Sequence, residues 1–118
     1  MADKKTKLIA IAGNLIDSVT NISNFLEAKG FKTCWAYNGV DAIDLCKEKN
    51  PDLLLIDIKI SMADGFEVAK QLPRQKILFM CADESLIDEA DSFKNSLGVI
   101  SKPVDLEELL GALKSSLK

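Results

Sequence analysis

Histidine is absent from all 118 positions of the sequence, and cysteine occurs only three times. The lack of histidine excludes histidine-based acid–base catalysis, serine–histidine and cysteine–histidine nucleophile pairs, and metal sites with histidine ligands. No two cysteines have the C-x-x-C spacing, so neither a disulfide framework nor a zinc site is indicated. We therefore interpret Cys34, Cys46 and Cys81 as reduced, small apolar residues.

Long hydrophobic runs and an excess of positive charge are also missing. The N-terminal residues 1–7 are polar, and no apolar stretch is long enough to span a membrane or to form a signal-peptide core. Fifteen basic residues and eighteen acidic residues give a net charge of −3, which repels phosphate backbones and anionic lipid headgroups. We expect a cytoplasmic protein that binds neither nucleic acid nor membranes.

Proline and glycine are scarce, whereas hydrophobic residues are plentiful. Three prolines and six glycines in a chain that is 47% hydrophobic and 28% charged exclude a collagen-like or disordered chain. A chain of 118 residues can form one hydrophobic core and has no room for a second domain. We therefore expect a single domain over residues 1–118. Whether it acts alone or is one part of a longer protein stays open.

Apolar runs of strand length alternate with segments of helical periodicity along the chain. The run LLLI at 53–56 is the strongest indication of a strand buried on both faces. Asn14 and Asp17 resemble a capping box at the start of the first helix, and Asp105 can cap the last one. A fourth helix is predicted over 86–93. The predicted strands are 8–12, 31–37, 53–56, 76–80 and 97–100.

The alternation of five strands with five helices indicates a doubly wound α/β fold. Its strands are parallel and joined by right-handed crossovers, with helices on both faces of the sheet. In such folds ligands bind beyond the carboxyl ends of the strands. This rule selects residues 12–14, 57–59, 81–82 and 101–102 as the place where chemistry is expected.

Two oppositely charged residues stand at predicted strand ends. Asp57 ends the most apolar strand, and Lys102 follows the fifth strand. A partly desolvated carboxylate favours either a charge partner or a nucleophilic role, and an ammonium there can neutralise a carboxylate or a phosphoryl group. Alone, Asp57 could be a helix cap or part of a structural ion pair, and Lys102 could be a solvated lysine. Because both residues lie at the same edge of the predicted sheet, a functional role for the two together is favoured.

Three motifs in sequence order resemble the receiver domain of two-component response regulators. They are PDLLLID at 51–57, DGFE at 64–67 and SKP at 101–103, and the resemblance extends from Lys7 to the last helix. It implies a flavodoxin-like three-layer α/β/α sandwich, with a five-stranded parallel sheet of order 2-1-3-4-5 and five helices. It also implies a signalling protein, not an enzyme, that at most phosphorylates itself at Asp57 from a phosphodonor.

The resemblance implies a specific role for each residue at the strand ends. The aspartate at the position of Asp57 attacks a phosphohistidine donor, which would belong to a histidine kinase or a phosphotransfer protein. A Mg2+ ion is held by this aspartate, by the backbone carbonyl of Lys59 and by an acidic pair at positions 12 and 13. Lys102 contacts the phosphoryl oxygens, and a threonine or serine at the position of Cys81 serves as the switch.

The sequence departs from the receiver pattern at three of the family's site positions. Ala12 and Gly13 replace the acidic pair, so the Mg2+ site is reduced to Asp57, a carbonyl and water, and we expect Mg2+ binding to be weak or absent. Cys81 replaces the threonine or serine, and Val99 stands at an aromatic switch position. We favour Cys81 as a small packing residue over a redox-sensitive thiol.

Acidic residues are concentrated after the fourth predicted strand, and no basic residue interrupts them: Asp83, Glu84, Asp88, Glu89 and Asp91. Such a run is typical of a solvated helix face, but it also suits a basic partner. The resemblance places a partner surface on the fourth helix, the fifth strand and the fifth helix. We predict a protein interaction surface around 83–91 and the C-terminal helix, where Leu109 or Leu110 is expected to be partly exposed.

Two functions remain open from the sequence. The first is a phosphorelay receiver with Asp57 as phosphoacceptor position and an incomplete site, in which Asp57 and Lys102 form an ion pair without metal and phosphorylation is slow or absent. The second is a pseudo-receiver that binds partner proteins independently of phosphorylation, as the departures at 12, 13, 81 and 99 favour. A flavodoxin-like cofactor binder is disfavoured, because Gly13 is not part of a G-x-G-x-x-G or P-loop pattern.

Overall fold

Five short strands form one parallel sheet in the computed structural model, which describes residues 6–117. The sheet order is β2-β1-β3-β4-β5, and each neighbouring pair is parallel. The predicted fold class, sheet order and helix number are therefore confirmed. The elements are β1 Leu8–Ala12, α1 Ile16–Ala28, β2 Lys32–Ala36, α2 Gly39–Lys49, β3 Leu53–Asp57, α3 Gly65–Gln71, β4 Ile77–Cys81, α4 Ile87–Asp91, β5 Ser96–Ser101 and α5 Leu106–Ser116.

Side chains of the central strands alternate between two separate cores. In β1, Ile9 and Ile11 pack with α1 and α5 on one side, while Ala10 and Ala12 pack with the helices of the other side. This alternation follows from the two-residue period of a strand. Both faces of the sheet are covered, so the central strands are apolar throughout and the polar groups collect at their ends. No helix within residues 6–117 has the length and apolar character needed to cross a membrane.

Side-chain caps fix the starts of three helices. Asn38, Asp64 and Asp105 each accept a hydrogen bond from a backbone N–H two or three residues further along the chain, at 2.8–3.1 Å. These bonds satisfy donors that the helix itself leaves without partners. The predicted cap at Asp105 is thus confirmed.

The predicted cap of the first helix is wrong. Leu15 occupies the N-cap position, no side chain accepts a hydrogen bond there, and α1 begins at Ile16. The amide of Asn14 bonds instead to residues of the loop after β3. Leu15 is 64% exposed, so the buried stripe of this helix begins at Val19.

Two expectations about the later helices also need correction. The fourth helix is shorter than the predicted 86–93, because a 3-10 turn occupies Glu84–Leu86 and α4 ends at Asp91. Leu109 and Leu110 are 0% and 8% exposed, so neither is partly exposed as expected. Leu109 packs in the core between the sheet, α1 and α5, where an inward-facing leucine loses its contact with water.

The loop after β3 lies directly against the start of α2. The backbone N–H of Gly39 donates to the carbonyl of Ser61 at 2.9 Å. A Cβ atom at Gly39 would lie 1.8 Å from the carbonyl oxygen of Ala63, which is far inside any allowed contact. Only glycine fits at this position without displacing the loop that carries Lys59.

We predict that Gly39→Ala destabilises the protein by about 1–3 kcal/mol, because the added methyl group overlaps backbone that cannot rotate away. Gly111→Ala is the matched control, since a Cβ there meets nothing within 4 Å. In the exposed interior of α5 that substitution should stabilise by about 0.5–1 kcal/mol. Urea unfolding of both variants measures the two effects. A Gly39→Ala variant as stable as the parent protein would contradict the close contact between Gly39 and the backbone of Ala63.

Candidate functional site

The carboxyl ends of the strands bring the sequence-predicted residues to one edge of the sheet. Asp57 is the last residue of β3, Cys81 is the last residue of β4, and Lys102 follows β5. Nζ of Lys102 lies 2.8 Å from Oδ1 of Asp57. The ion pair predicted between these two residues is therefore present.

The strand order explains why a lysine is needed to reach the aspartate. β4 lies between β3 and β5, and the backbone N–H of Lys102 donates to the carbonyl of Cys81 at 3.1 Å. The backbone N–H of Ile58 donates to the carbonyl of Met80 at 3.0 Å, so the ends of all three strands are level. The Lys102 side chain has to extend across β4 to contact Asp57, and a long flexible stem makes this possible.

The pair is partly withdrawn from water. The Asp57 side chain is 15% exposed and the Lys102 side chain 35%. Removing a charge from water is costly unless an opposite charge compensates it. Lys102 supplies that compensation for Asp57, so the charge of each side chain is stabilised by the charge of the other.

The end of β1 offers no side-chain ligand to this site. Ala12 is fully buried in the core formed with α2 and α3. A Cβ atom at Gly13 would lie 2.9 Å from Oδ2 of Asp57 and 3.3 Å from the side chain of Val19. The carboxylate of Asp57 therefore lies over the space that a side chain at position 13 would need.

Asn14 ties the end of β1 to the loop after β3. Its Nδ2 donates to the carbonyl of Lys59 at 3.3 Å, and its Oδ1 accepts from the backbone N–H and the hydroxyl of Ser61 at 3.1 and 3.0 Å. The Lys59 carbonyl, which the family resemblance assigns to Mg2+, thus already accepts a hydrogen bond. Sequence spacing predicts Asn14 as a cap of α1 and contains no signal for its contact with residues 45 and 47 positions away.

The thiol of Cys81 forms hydrogen bonds with the backbone of a residue close in sequence. The residue is 7% exposed. Its Sγ donates to the carbonyl of Asp83 at 3.3 Å and accepts from the backbone N–H of the same residue at 3.2 Å. These contacts agree with a packing role for the thiol. Val99, at the aromatic position, is half-buried and packs against the core on the α2 and α3 side.

Asp83 forms a second charged contact beside the site. Its carboxylate accepts hydrogen bonds from the hydroxyl and backbone N–H of Ser85, and it lies 3.4 Å from Nζ of Lys59. The Ser85 hydrogen bonds, followed by the Lys59 charge, lower the pKa of Asp83 below its ordinary value. Asp83 is therefore ionised at neutral pH, with the exposed ammonium of Lys59 beside it.

The two other cysteines have pKa values that keep them protonated. Burial raises the pKa of Cys34, and burial together with the nearby Cys34 raises the pKa of Cys46 to about 12. A protonated thiol is a poor nucleophile at physiological pH. Both cysteines contact the core on the α2 side, as expected of small apolar residues.

Two hollows meet at the Asp57–Lys102 pair. One, of about 350 Å3, lies beside α1 and the start of α5 and is lined by Leu15, Val19 and Val104 among others. The other, of about 460 Å3, extends over the end of β4 to Lys59 and Asp83. Both lead to the same carboxylate, so a small reactant can approach Asp57 from either side. Within residues 6–117, no cluster of three acidic or cysteine side chains that could hold a metal ion is found.

Comparison with known proteins agrees with this fold. The family model described as the response regulator receiver domain matches residues 9–114. Among solved structures, the chain is similar to the chemotaxis response regulator CheY4 of Vibrio cholerae, with a TM-score of 0.85 and 21% identity over 96% of this chain and 100% of that one. It is also similar to the receiver domain of the Francisella response regulator 1452, with a TM-score of 0.84 and 22% identity over 93% of this chain and 95% of that one.

A third similar structure is the signal receiver domain of an HD domain-containing protein from Pseudomonas fluorescens Pf-5. Its TM-score is 0.86, with 21% identity over 96% of this chain and 95% of that chain. At such identities the structural likeness establishes the fold. The family match extends from β1 into α5 and includes Asp57 and Lys102. The chain therefore belongs to the receiver domain family of two-component response regulators.

Proposed function

We propose that this receiver domain serves phosphorelay signalling with Asp57 as its phosphoacceptor position and with an incomplete metal and switch site. The observation that supports this most strongly is the 2.8 Å contact between Lys102 and Asp57. It leaves one carboxylate at the meeting point of two hollows, beside an ammonium and without a second acid at the end of β1. Receiver domains are in general signalling modules and not enzymes.

The chemistry at Asp57 would be a phosphoryl transfer. A carboxylate oxygen attacks the phosphorus atom of the donor, and the bond from phosphorus to the donor's leaving atom breaks, with the electron pair departing on that atom. The product is an acyl phosphate on Asp57. The Lys102 ammonium would exchange the carboxylate for the phosphoryl oxygens, whose developing charge it neutralises. Because the contact with Asp57 must first be given up, we expect this transfer to be slow.

The residues present fit Mg2+ poorly. Mg2+ requires near-octahedral oxygen ligands, whereas this edge offers only the Asp57 carboxylate, one oxygen of which contacts Lys102, and the Lys59 carbonyl, which also accepts a hydrogen bond from Asn14. Ala12 and Gly13 add no oxygen ligands from their side chains. We propose that Mg2+ binds weakly or not at all, and that Lys102 carries the neutralising charge.

The alternative is a pseudo-receiver that binds partners irrespective of phosphorylation. One contact and one residue identity favour it. The Cys81 thiol bonds to the Asp83 backbone and is a weak donor for a phosphoryl oxygen. Val99 is too small to act as an aromatic switch. In this alternative the ion pair holds the domain in one conformation, and the partner recognises that conformation.

Receiver domains interact with other proteins such as kinases and effector domains. For this chain we propose that the partner contacts the surface around 83–91 and α5, with a histidine kinase or a phosphotransfer protein as donor. Glu84, Asp88, Glu89 and Asp91 are exposed, so the surface has negative charge that a basic partner would neutralise.

Incubation with acetyl phosphate tests the proposed chemistry. We expect intact-mass spectrometry to show a minor phosphoryl adduct that is lost in Asp57→Asn. Because the residues fit Mg2+ poorly, the amount of adduct should change by less than about twofold when Mg2+ is added. A large Mg2+-dependent increase would contradict the incomplete metal site. A complete lack of adduct with and without Mg2+ would contradict the phosphoacceptor role and favour the pseudo-receiver.

Restoring one carboxylate at the end of β1 tests the metal site separately. We expect Mg2+ to raise the Tm of Gly13→Asp, because the new carboxylate and Asp57 repel each other until a cation lies between them. Gly13→Asn is the control, since it has the same crowding against Oδ2 of Asp57 without the charge. Thermal melts with and without Mg2+ measure the difference. An equal Mg2+ effect on the parent protein would show that its site already binds the metal.

A further inference from the structure

Two aromatic side chains are exposed to solvent at the edge of the sheet opposite β5. Trp35 is 49% exposed and Tyr37 36%, and the nearby Val40 is 40% exposed. Exposed tryptophan and tyrosine are the side chains most enriched in protein interfaces, because they combine a large apolar area with few rotatable bonds. Trp35 is also the single tryptophan of the chain.

Trp35 lies on β2 and Tyr37 follows directly after it; within residues 6–117, the outer edge of this strand pairs with no other strand. β2 is an outer strand of the sheet and pairs with β1. The bonds from Lys32 N–H to the Lys7 carbonyl (2.9 Å) and from Gly13 N–H to the Ala36 carbonyl (3.2 Å) show that the even-numbered residues of β2 face β1. Since parallel strands alternate the direction of their backbone groups, the N–H and C=O groups of Thr33 and Trp35 face outward.

A row of carboxylates runs beside this edge. Asp41, Asp44 and Glu48 are three and four positions apart on α2, which places them on one face of the helix. Together with Trp35 and Tyr37 they line an open hollow of about 360 Å3. The ion pairs found within residues 6–117 involve none of these three acids. Like charges on one face repel, so an arriving cation is favoured here.

We propose that the β2 edge surface, formed by Thr33, Trp35, Tyr37, Asp41, Asp44 and Glu48, docks an extended, arginine-bearing segment of a partner protein. The outward backbone groups of β2 would pair with the segment as an added strand. Guanidinium groups would stack on the two aromatic rings and pair with the carboxylates of α2. Arginine suits both contacts better than lysine, because its planar group stacks on rings and forms bidentate pairs.

A second copy of the chain is disfavoured as the occupant. Two β2 edge surfaces brought together would place the carboxylates of one copy against those of the other, which opposes association. The proposed docking also uses neither Asp57 nor Lys102. The docking can therefore be tested on the unphosphorylated protein, separately from the phosphoacceptor role proposed for Asp57.

The single tryptophan allows a direct measurement on the intact protein. We expect an amidated hexa-arginine peptide to change the Trp35 emission with saturation, and hexa-lysine to bind more weakly. Hexa-glutamate should cause no change. Raising the salt concentration should weaken the hexa-arginine complex, because exposed charge pairs are screened.

Charge variants locate the binding surface. The double variant Asp44→Asn/Glu48→Gln should bind hexa-arginine about tenfold more weakly. Asp17→Asn/Glu67→Gln removes the same charge at exposed positions elsewhere and should bind as the parent protein does. Equal weakening in both variants would overturn the proposal, because it would show attraction to net charge alone.

Strand pairing has its own test. A hexa-arginine peptide methylated at alternate backbone nitrogens should lose about tenfold in affinity, since it cannot complete the ladder with β2. Amide NMR should show the largest shifts at Thr33 and Trp35 on binding of the unmethylated peptide. An unchanged Trp35 emission with hexa-arginine, or amide shifts confined to other surfaces, would overturn the proposal. So would sedimentation of the protein as a dimer whose formation shifts the Trp35 emission, because that result would place a second copy on the β2 edge.

Discussion

All five strands run in the same direction, and this constraint decides where polar chemistry can lie in the molecule. Both faces of the sheet are covered by helices, so the central strands carry apolar side chains from end to end. A charged group can be accommodated only where a strand stops. Asp57 and Lys102 occupy two such stops with one strand between them, and the buried part of each is tolerable because the other is 2.8 Å away. The pair is thus a result of the fold as much as a feature of a site.

The sequence predicted the layered fold and the main pair for the same reason. Apolar runs such as 53–56 and the caps at helix starts are local signals, and the rule that parallel strand ends meet then places Asp57 near Lys102. What could not be predicted depends on side chains that meet across loops. Asn14 fits a helix cap by spacing, but its amide finds Lys59 and Ser61 in the loop after β3. The pattern at 86–93 predicts a longer α4 than the structure has, because neither the 3-10 turn that includes Leu86 nor the end of the helix at Asp91 has a distinct periodicity.

Electrostatic balance distinguishes this rim from one built of clustered acids. Lys102 contacts Asp57 and Lys59 contacts Asp83, so each lysine at the rim has its own carboxylate. Such an arrangement needs no added cation to relieve repulsion. The substitutions at 12, 13, 81 and 99 are then physically consistent with one another. Without a carboxylate pair at the end of β1, Asp57 is the one carboxylate at the ends of strands β1 and β3, and its charge is compensated by Lys102.

The close approach at Gly39 has a mechanical consequence. The loop carrying Lys59 and Ser61 is pressed against the first turn of α2, with a hydrogen bond from Gly39 and no space for even one methyl group. The same helix carries Asp41, Asp44 and Glu48 along the outer edge of the sheet. A shift of the loop toward α2 therefore displaces the helix, and a displacement of the helix toward the loop displaces the loop. The rim around Asp57 and the β2 edge are thus connected through α2 and the loop after β3. If an occupant of one surface changes the affinity of the other, the reverse effect has the same free energy.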